Sequence, residues 1–552
     1  MKILILGGYG VFGGRLAQLL KTDPGLTLMI AGRDGAKARE FCSRIGGAAR
    51  AEPVTLDRAD VASALARLEP DLVVDASGPF QAYGQDPYLV PKAALAARVP
   101  YLDLADGADF VEGIKALDVE AKQAGVFALA GVSSFPVLTH AVLTEMRQRM
   151  QVTKVTGGIA PSPYAGVGMN VLRAVLSYAG APVRLYRDGR PATGIGLGDS
   201  LVATVAVPGH LPLRPLRYSL VDVPDLRLLP PAHGLQSLWM GAAPQPRLLH
   251  RLLILLARVR SRLHLPSLAP LAPLAHWLLN LRPMGEHRGG MFLAAEGERD
   301  GQPASLSWHL LADGDDGPLI PSMAVALLVG KMRTGQPPAA GARPGIGALT
   351  LDDYATAFRG RSIVTGWRDG PSAEAYPHVL GPIFHKLPPM LQRLHRRGAR
   401  SVWRGCADVQ RGRGPIAALV AALFGFPRPG ADQPVEVTFA TSPQGRETWS
   451  RRFGQTLMQS TQEAGTGSDE FLIVERFGPF RFGLALVWDG ARLNIIPRSW
   501  SLGPLLLPRW LMPYGPAWEE EADGRFRFHV EIILPLVGPV VRYDGWLEPV
   551  KA

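Results

Sequence analysis

Lys2–Gly13 reads KILILGGYGVFG, and the fold follows from it. Four apolar residues, Ile3–Leu6, run straight into Gly8-Tyr9-Gly10-Val11-Phe12-Gly13, which fits the GxGxxG pattern of a strand turning into a dinucleotide-binding helix. An uninterrupted apolar run suits a central parallel strand covered on both faces, and the glycines allow a tight turn with close backbone approach to a pyrophosphate. The helix expected over Val11–Lys21 would aim its free N–H groups at that phosphate. With 62 glycines in 552 residues the spelling alone recurs by chance, so the weight falls on context. A strand-like run precedes the motif, the helix-like RLAQLLK follows it, and a second strand is expected at Leu26–Arg33.

From there strand and helix patterns alternate. Helices are expected at Ala36–Ile45, Asp60–Leu68, Tyr88–Ala97 and Asp109–Ala124, and strands at Ala51–Leu56, Leu72–Ala76, Tyr101–Leu104 and Val126–Gly131. Such alternation predicts an α/β, Rossmann-like, doubly wound parallel sheet over residues 1–135, with six strands countable by residue 131. The second strand ends Ala31-Gly32-Arg33-Asp34, twenty-five positions after Gly8 at Arg33. An acidic residue near this point holds the ribose 2′-OH of NAD, whereas an arginine accepts the 2′-phosphate of NADP. Arg33 offers phosphate a fork of donors, which favours NADP over NAD. Asp34 serves either as a helix N-cap or as a ribose ligand. Asp57 follows the third strand and Ser77-Gly78-Pro79 the fourth. All lie where ligands bind in open α/β sheets, and all are equally compatible with turn chemistry.

The formal charge of +11 comes mostly from arginines spread along the chain, without the basic run of a nucleic-acid arm. Cys42 and Cys406 stand far apart and make neither a disulfide framework nor a zinc site, so no metal is expected. The first strand begins at residue 2 with no signal-like segment before it, and this points to the cytoplasm. The apolar stretch Leu265–Leu281 carries Pro266, Pro270 and Pro273, which disfavour a continuous membrane-spanning helix.

The GGYGVFG turn, AGRD (Ala31–Asp34), VVDASGPF (Val73–Phe80), YLDLADG (Tyr101–Gly107) and GVSSFPVLTH (Gly131–His140) resemble saccharopine-dehydrogenase-like NADP-binding domains. The resemblance continues in RGGMFLAAEGERDG, GPLIPSMAVALLVGKM and GARPGIGALTLDDY, within residues 288–354, and covers roughly residues 1–360. It implies an oxidoreductase acting with NAD(P)H on a C–N bond or a related carbonyl. No set of amino-acid-binding arginines matches, so saccharopine itself is not the expected substrate. The resemblance also implies a second, substrate-type α+β domain, assigned to residues 136–365, with 320–360 returning to pack on the first.

In that middle region, short stretches such as LVATVAVPGHLPLRPL read as strands of an antiparallel sheet. Leu248–His264 places Leu248, Leu252, Leu256, Val259 and Leu263 at helical spacing, with His250, Arg251, Arg258, Arg260 and Arg262 elsewhere around the helix. Such a helix lies on its own domain, on a second copy in a homodimer, or peripherally on a membrane. Residues 366–376 read as a polar linker to a β-rich domain at 377–552. There Pro377–Arg397 reads as two short helices with surface histidines His378, His385 and His395. Strands are expected at Pro434–Ala440, Glu447–Phe453, Phe471–Phe477, Phe482–Trp488, Arg492–Ser499, Arg525–Leu534 and Val540–Leu547. ETWSRRFG, ERFGPFRFG and YDGWLEP resemble a domain of unknown function that is found fused behind such NADP-binding domains. Trp449, Arg451, Arg452, Glu475, Arg476 and Trp546 either line a cup for an amphipathic ligand or stabilise the sheet as cross-strand pairs.

No catalytic residue is assigned by the sequence. Tyr88 and Lys92 have the spacing of a short-chain dehydrogenase pair but follow the fourth strand, too early for that active-site helix. Tyr83, Tyr101, Asp103, Asp106 and His140 fall near strand ends and are candidate proton donors, a role that geometry must decide. Two functions remain: an NADP-dependent oxidoreductase acting on a carbonyl or imine, or a non-catalytic nucleotide-sensing or membrane-peripheral scaffold that keeps the dinucleotide-binding fold.

Overall fold

The computed structural model describes residues 1–550 other than 167, 281–284, 397, 399 and 443–445. Leu281 and Arg397, which close two of the stretches read above, lie outside the described residues. The chain forms two compact units: Met1–Leu201 with Arg217–Val364, and Val202–Leu216 with everything from Thr365 onward.

The first unit opens with β1 (Lys2–Leu6), α1 (Val11–Leu20), β2 (Thr27–Gly32), α2 (Gly35–Ile45), β3 (Arg50–Thr55), β4 (Leu72–Asp75), β5 (Tyr101–Asp103) and β6 (Phe127–Ala130). These strands, with Gly341–Pro344, form one sheet in the order Gly341–Pro344, β6, β5, β4, β1, β2, β3, and every neighbouring pair is parallel. Ile3, Leu4 and Ile5 are fully buried because β1 is central and both its faces are covered. β3 is an edge strand, so it tolerates polar residues and Pro53. β1 pairs with β4 on one side and β2 on the other, so the strand order reverses at the glycine turn. Open α/β sheets bind their ligands at such a switch point.

Two expectations for this region change. The seventh strand comes from residues 341–344, where GARP shows no apolar run. The helix expected over Asp109–Ala124 is broken into Ala108–Gly113, a 3-10 turn at Ile114–Leu117 and Asp118–Ala124. The break falls where the Tyr88 hydroxyl packs over Gly113 and donates to the Phe110 carbonyl at 2.9 Å, leaving no room for a Cβ.

The middle sheet is mixed rather than antiparallel. Ser237–Ala242 runs parallel to Gln151–Ala160, which pairs antiparallel with Gly289–Arg299, and that strand with Gln302–Ala312. The helix Ile320–Arg333 returns to lie along α1, and Ser322 donates to the Phe12 carbonyl at 3.1 Å. No helix among the described residues is long and apolar enough to cross a membrane.

The helix Asp225–His233 begins with a fully buried carboxylate. Thr139 donates to one oxygen of Asp225, and the other is buried without a partner. Burial raises its pKa to about 7 from an ordinary 3.8. The folded chain therefore holds a proton here that the unfolded chain has already released. Stability falls as pH climbs from about 4 to 7 and levels off above that window. Asp103, also raised to about 7 by burial, acts in the same direction. Asp225→Asn is expected to flatten part of this decline, read as the loss of Tm between about pH 5 and about pH 8. An unchanged decline would show that Asp225 does not titrate there.

The second unit is a closed antiparallel barrel. Its eleven-stranded sheet runs from Phe480–Trp488 round to Leu493–Leu502, and these two strands then pair with each other. Period-2 alternation marks seven of its strands, whereas Arg400–Arg411, Thr456–Ala464 and Ala517–Ala522, which complete the closure, are additional to those expected. The helices Ala375–Leu380 and Pro389–His395 share the barrel's core, packing Tyr376, Leu380 and Leu391 with Trp403. His395 is therefore not on the surface. Its ring stacks on Tyr376 at 3.7 Å and its Nε2 lies 2.5 Å from Glu519. In the stretch read as a linker, Ala375 and Tyr376 are core residues and a strand runs Ile363–Asp369.

Strand alternation splits the proposed cup. Trp449, Arg451 and Glu475 come together, with the Arg451 guanidinium 4.7 Å from the Trp449 ring and 3.2 Å from Glu475. Arg452 is exposed, Arg476 pairs with Glu463, and Trp546 stacks under Arg525. Residues 204–215 form no strand and belong to this unit. There the Trp488 N–H donates to the Gly209 carbonyl at 3.0 Å.

Candidate active site

The turn after β1 is built to bring backbone close to a ligand. Gly7 adopts φ +69, and a Cβ there would lie 2.8 Å from the Ala76 carbonyl. A Cβ on Gly13 would drive into the Gly7 carbonyl, so Gly8 and Gly13 form the packed back of the turn. Gly10 is the N-cap of α1 and no side chain caps it, which leaves the first N–H groups of the helix for an acceptor. Tyr9, Gly10, Val11 and Phe12 form part of the wall of a cleft of about 1120 Å³ that runs from the sheet's switch point to the middle sheet. Arg15, one turn further along α1, lines it too and donates to the Ala165 carbonyl at 2.8 Å. Uncapped helix N–H groups, glycines where a Cβ would collide and a nearby arginine fit the pyrophosphate of a dinucleotide.

At one end of the cleft a second hollow of about 400 Å³ is lined by Arg33, Thr55, Asp57, Asp60, Ser63 and Arg67, among others. Arg33 and Asp57 border both spaces. Asp57 caps the turn Arg58–Asp60, accepting from the Ala59 N–H at 3.0 Å. Asp34 lines neither space: its carboxylate caps α2, accepting from the Ala36 and Lys37 N–H groups at 3.0 and 3.1 Å. Its backbone N–H donates to the Tyr9 hydroxyl at 3.1 Å, which seats the Tyr9 ring over Gly32. Arg33 and Arg67 offer this hollow donors suited to a phosphate, beside the carboxylates of Asp57 and Asp60, while the Ser63 hydroxyl donates to the Asp60 carbonyl at 2.9 Å. Arg67 and Ser63 went unnoticed in the sequence because one helical turn separates them on an otherwise ordinary amphipathic helix.

Ser77, Gly78 and Pro79 line the cleft after β4. Ser77 donates to the buried Asp75 at 2.5 Å, and Tyr83 bonds both Asp75 and Ser77. The Arg58 guanidinium stacks 3.8 Å over the Tyr83 ring. Burial and the Asp75 carboxylate push the Tyr83 hydroxyl far up, so it stays a phenol committed to this network.

The other candidate donors separate cleanly. Tyr101 and Asp103 are buried away from the cleft, where Asp103 accepts from the Ala105 and Gly131 N–H groups at 2.9 and 2.7 Å. His140 pairs with His233 at 2.9 Å, and Lys92 with Asp86. Asp106 does face the cleft, as do two residues the sequence did not suggest, Tyr178 and Asp222. Protein mass around Asp106 and Asp222 raises both carboxyl pKa values, and the two carboxylates add to the effect of burial in raising Tyr178. One oxygen of Asp222 is buried without a partner. No motif marks Tyr178 or Asp222, because they come from separate parts of the middle region and meet only in the fold.

Comparison with known proteins gives a family for one part of the chain: residues 387–547 match the Domain of unknown function (DUF4166). Among curated proteins nothing matches. Three solved structures are similar over about two thirds of the chain. Saccharopine dehydrogenase (L-Glu forming) from Saccharomyces cerevisiae is 14% identical, covering 67% of this chain and 100% of its own, with a TM-score of 0.48. GenD2 from gentamicin A biosynthesis, in complex with NAD, is 14% identical over 67% of this chain and 97% of its own, at 0.31. An amine dehydrogenase from Mycobacterium smegmatis is 12% identical over 62% and 94%, at 0.33.

Proposed function

We propose that the first unit is an NADP-dependent oxidoreductase that transfers hydride to or from a carbonyl or imine carbon. One observation carries the reading: the glycine turn at the switch point opens onto a large cleft that also holds raised-pKa acids. Tyr9–Phe12 and Arg15 hold the pyrophosphate, and Arg33 with Arg67 holds the 2′-phosphate. Ser77–Pro79 line the cleft beyond the turn. When bound, the reduced nicotinamide supplies the hydride. Asp106 and Asp222 are the carboxyls that face the cleft, the pKa of each raised by desolvation, and either would carry the proton the reaction needs. In the reductive direction that proton passes to the oxygen or nitrogen as the double-bond electron pair leaves the carbon receiving hydride, giving an alcohol or amine.

Titration calorimetry with NADPH and NADH tests the reading, and absence of binding by both overturns it. Arg33→Ala should weaken NADPH about tenfold, the worth of a charge-assisted hydrogen bond, and leave NADH within about twofold. Equal losses for the two cofactors would place Arg33 outside the 2′-phosphate site.

A further inference from the structure

The cleft's apolar end lies among three helices: Met169–Tyr178, Arg247–Leu263 and Ala272–Asn280. Leu172, Leu176 and Ala272 make a small core with Leu253, Leu268 and Leu279. The Arg247–Leu263 helix is oriented against the usual rule. Its buried positions are His250, Ile254 and Ala257, while Arg258 and Arg260 turn to the Gly198, Ser177 and Ala179 carbonyls. Its leucine stripe faces outward: Leu248 is 77% exposed and Leu255 57%, and on the next helix Trp277 is 59% exposed. Isolated exposed leucines are ordinary, but a contiguous apolar face made by two helices is not.

Two features say what covers this face. From Arg247 to Asn280 the chain carries five arginines and no aspartate or glutamate, and Arg251 and Arg262 are exposed beside the leucines. Cationic side chains flanking an outward apolar stripe complement an anionic lipid surface. The face is also continuous with the cleft, since Leu252, Leu256, Leu271, Leu274 and Leu278 are both exposed and part of the cleft wall. The mouth of the proposed active site is thus itself the apolar surface.

We infer that Arg247–Asn280 seats the protein on an anionic bilayer and that its leucine mouth admits a neutral, largely hydrocarbon substrate directly from the membrane into the cleft. The substrate half rests on the oxidoreductase reading above; the docking half stands without it. Entry from the bilayer removes the need to carry an insoluble molecule through water, and the mouth leucines disfavour small hydrophilic substrates by leaving their groups unpaired.

The test uses the full chain and vesicles of phosphatidylcholine with or without phosphatidylglycerol. The protein should sediment with the anionic vesicles. Leu248→Gln/Leu255→Gln/Trp277→Gln, at three positions outside the cleft wall, should bind them at least tenfold less while titrating NADPH normally. Diphenylhexatriene, a neutral apolar fluorophore, should light up on wild type, and Leu274→Arg/Leu278→Arg should reduce that signal several-fold. Wild type remaining in the supernatant with both vesicles overturns docking. So does light scattering that shows a dimer abolished by the triple variant, because the face would then belong to a second copy. Diphenylhexatriene fluorescence unchanged by the arginine pair overturns apolar entry. Loss of NADPH binding in wild type overturns the enzyme reading and leaves the sedimentation result standing.

Discussion

Gly13→Val is expected to abolish dinucleotide binding, with affinity for NADPH falling at least about a hundredfold, or about 3 kcal/mol. The cause is steric and local. Any Cβ at position 13 points into the Gly7 carbonyl and comes within 2.8 Å of the Gly8 Cα. Valine adds two methyl groups at a helical position where rotation gives no escape, so α1 must withdraw from β1. Withdrawal moves the uncapped N–H groups of Val11 and Phe12 off the phosphate, and an interaction set by backbone position cannot be rescued by a neighbouring side chain. Gly330→Ala is the control. It lies inside the helix Ile320–Arg333 with nothing within 4 Å of the added Cβ, so binding should be unchanged and stability level or slightly raised. Calorimetry measures the affinity, and far-ultraviolet circular dichroism checks that the valine variant keeps its helices. A folded Gly13→Val protein that binds NADPH normally would end the dinucleotide reading.

What the sequence revealed of this site is what lies along the chain. The glycine turn, Arg33, Asp57 and Ser77–Pro79 follow strands directly, and strand order places strand ends together whatever the packing elsewhere. Asp34 was ambiguous because one aspartate after a strand serves equally as N-cap or ribose ligand, and only its bonds to Ala36 and Lys37 separate the two. Tyr178 and Asp222 were illegible because they depend on long-range pairing of the middle sheet, whose parallel strand Ser237–Ala242 carries no pattern distinct from an antiparallel one.

The Arg247–Leu263 helix shows the limit of amphipathicity as a guide. Periodicity located the helix without saying which face turns inward; the leucine stripe is the outer face, and His250, Ile254 and Ala257 are buried instead. In the barrel, alternation identified strands of strong pattern, while Thr456–Ala464 and Ala517–Ala522 are obscured because polar residues, Ser460, Gln462 and Glu519, take inward positions. Gln462 accepts from the Tyr376 hydroxyl at 3.0 Å, and Glu519 meets His395. Hydrogen-bonded polar side chains set into an otherwise apolar barrel interior do not announce themselves as core.

Arg368 is a second buried polar side chain that holds separate parts of the second unit together. It is 5% exposed, with no carboxylate in hydrogen-bonding contact among its described partners. Its Nε donates to the Ala206 carbonyl at 2.6 Å and Nη1 to the Val379 carbonyl at 2.9 Å, and its guanidinium lies 4.5 Å from the Phe471 ring. Burial lowers its pKa to about 10, so it remains charged at neutral pH. One planar fork therefore joins the 202–216 segment, the helix Ala375–Leu380 and the barrel rim. Arg368→Met keeps the volume but removes the charged donor to the Ala206 and Val379 carbonyls and should cost about 3–4 kcal/mol. Arg368→Lys retains the charge yet cannot span both carbonyls in a fixed plane, so it should recover less than half of the loss. Thermal unfolding measures the cost, and amide exchange locates it. The Trp488 N–H, bonded to Gly209, should lose protection in Arg368→Met because the 202–216 segment is released. Equal stability of wild type and Arg368→Met, with Trp488 still protected, would mean that apolar packing alone holds the segment and that the arginine is dispensable.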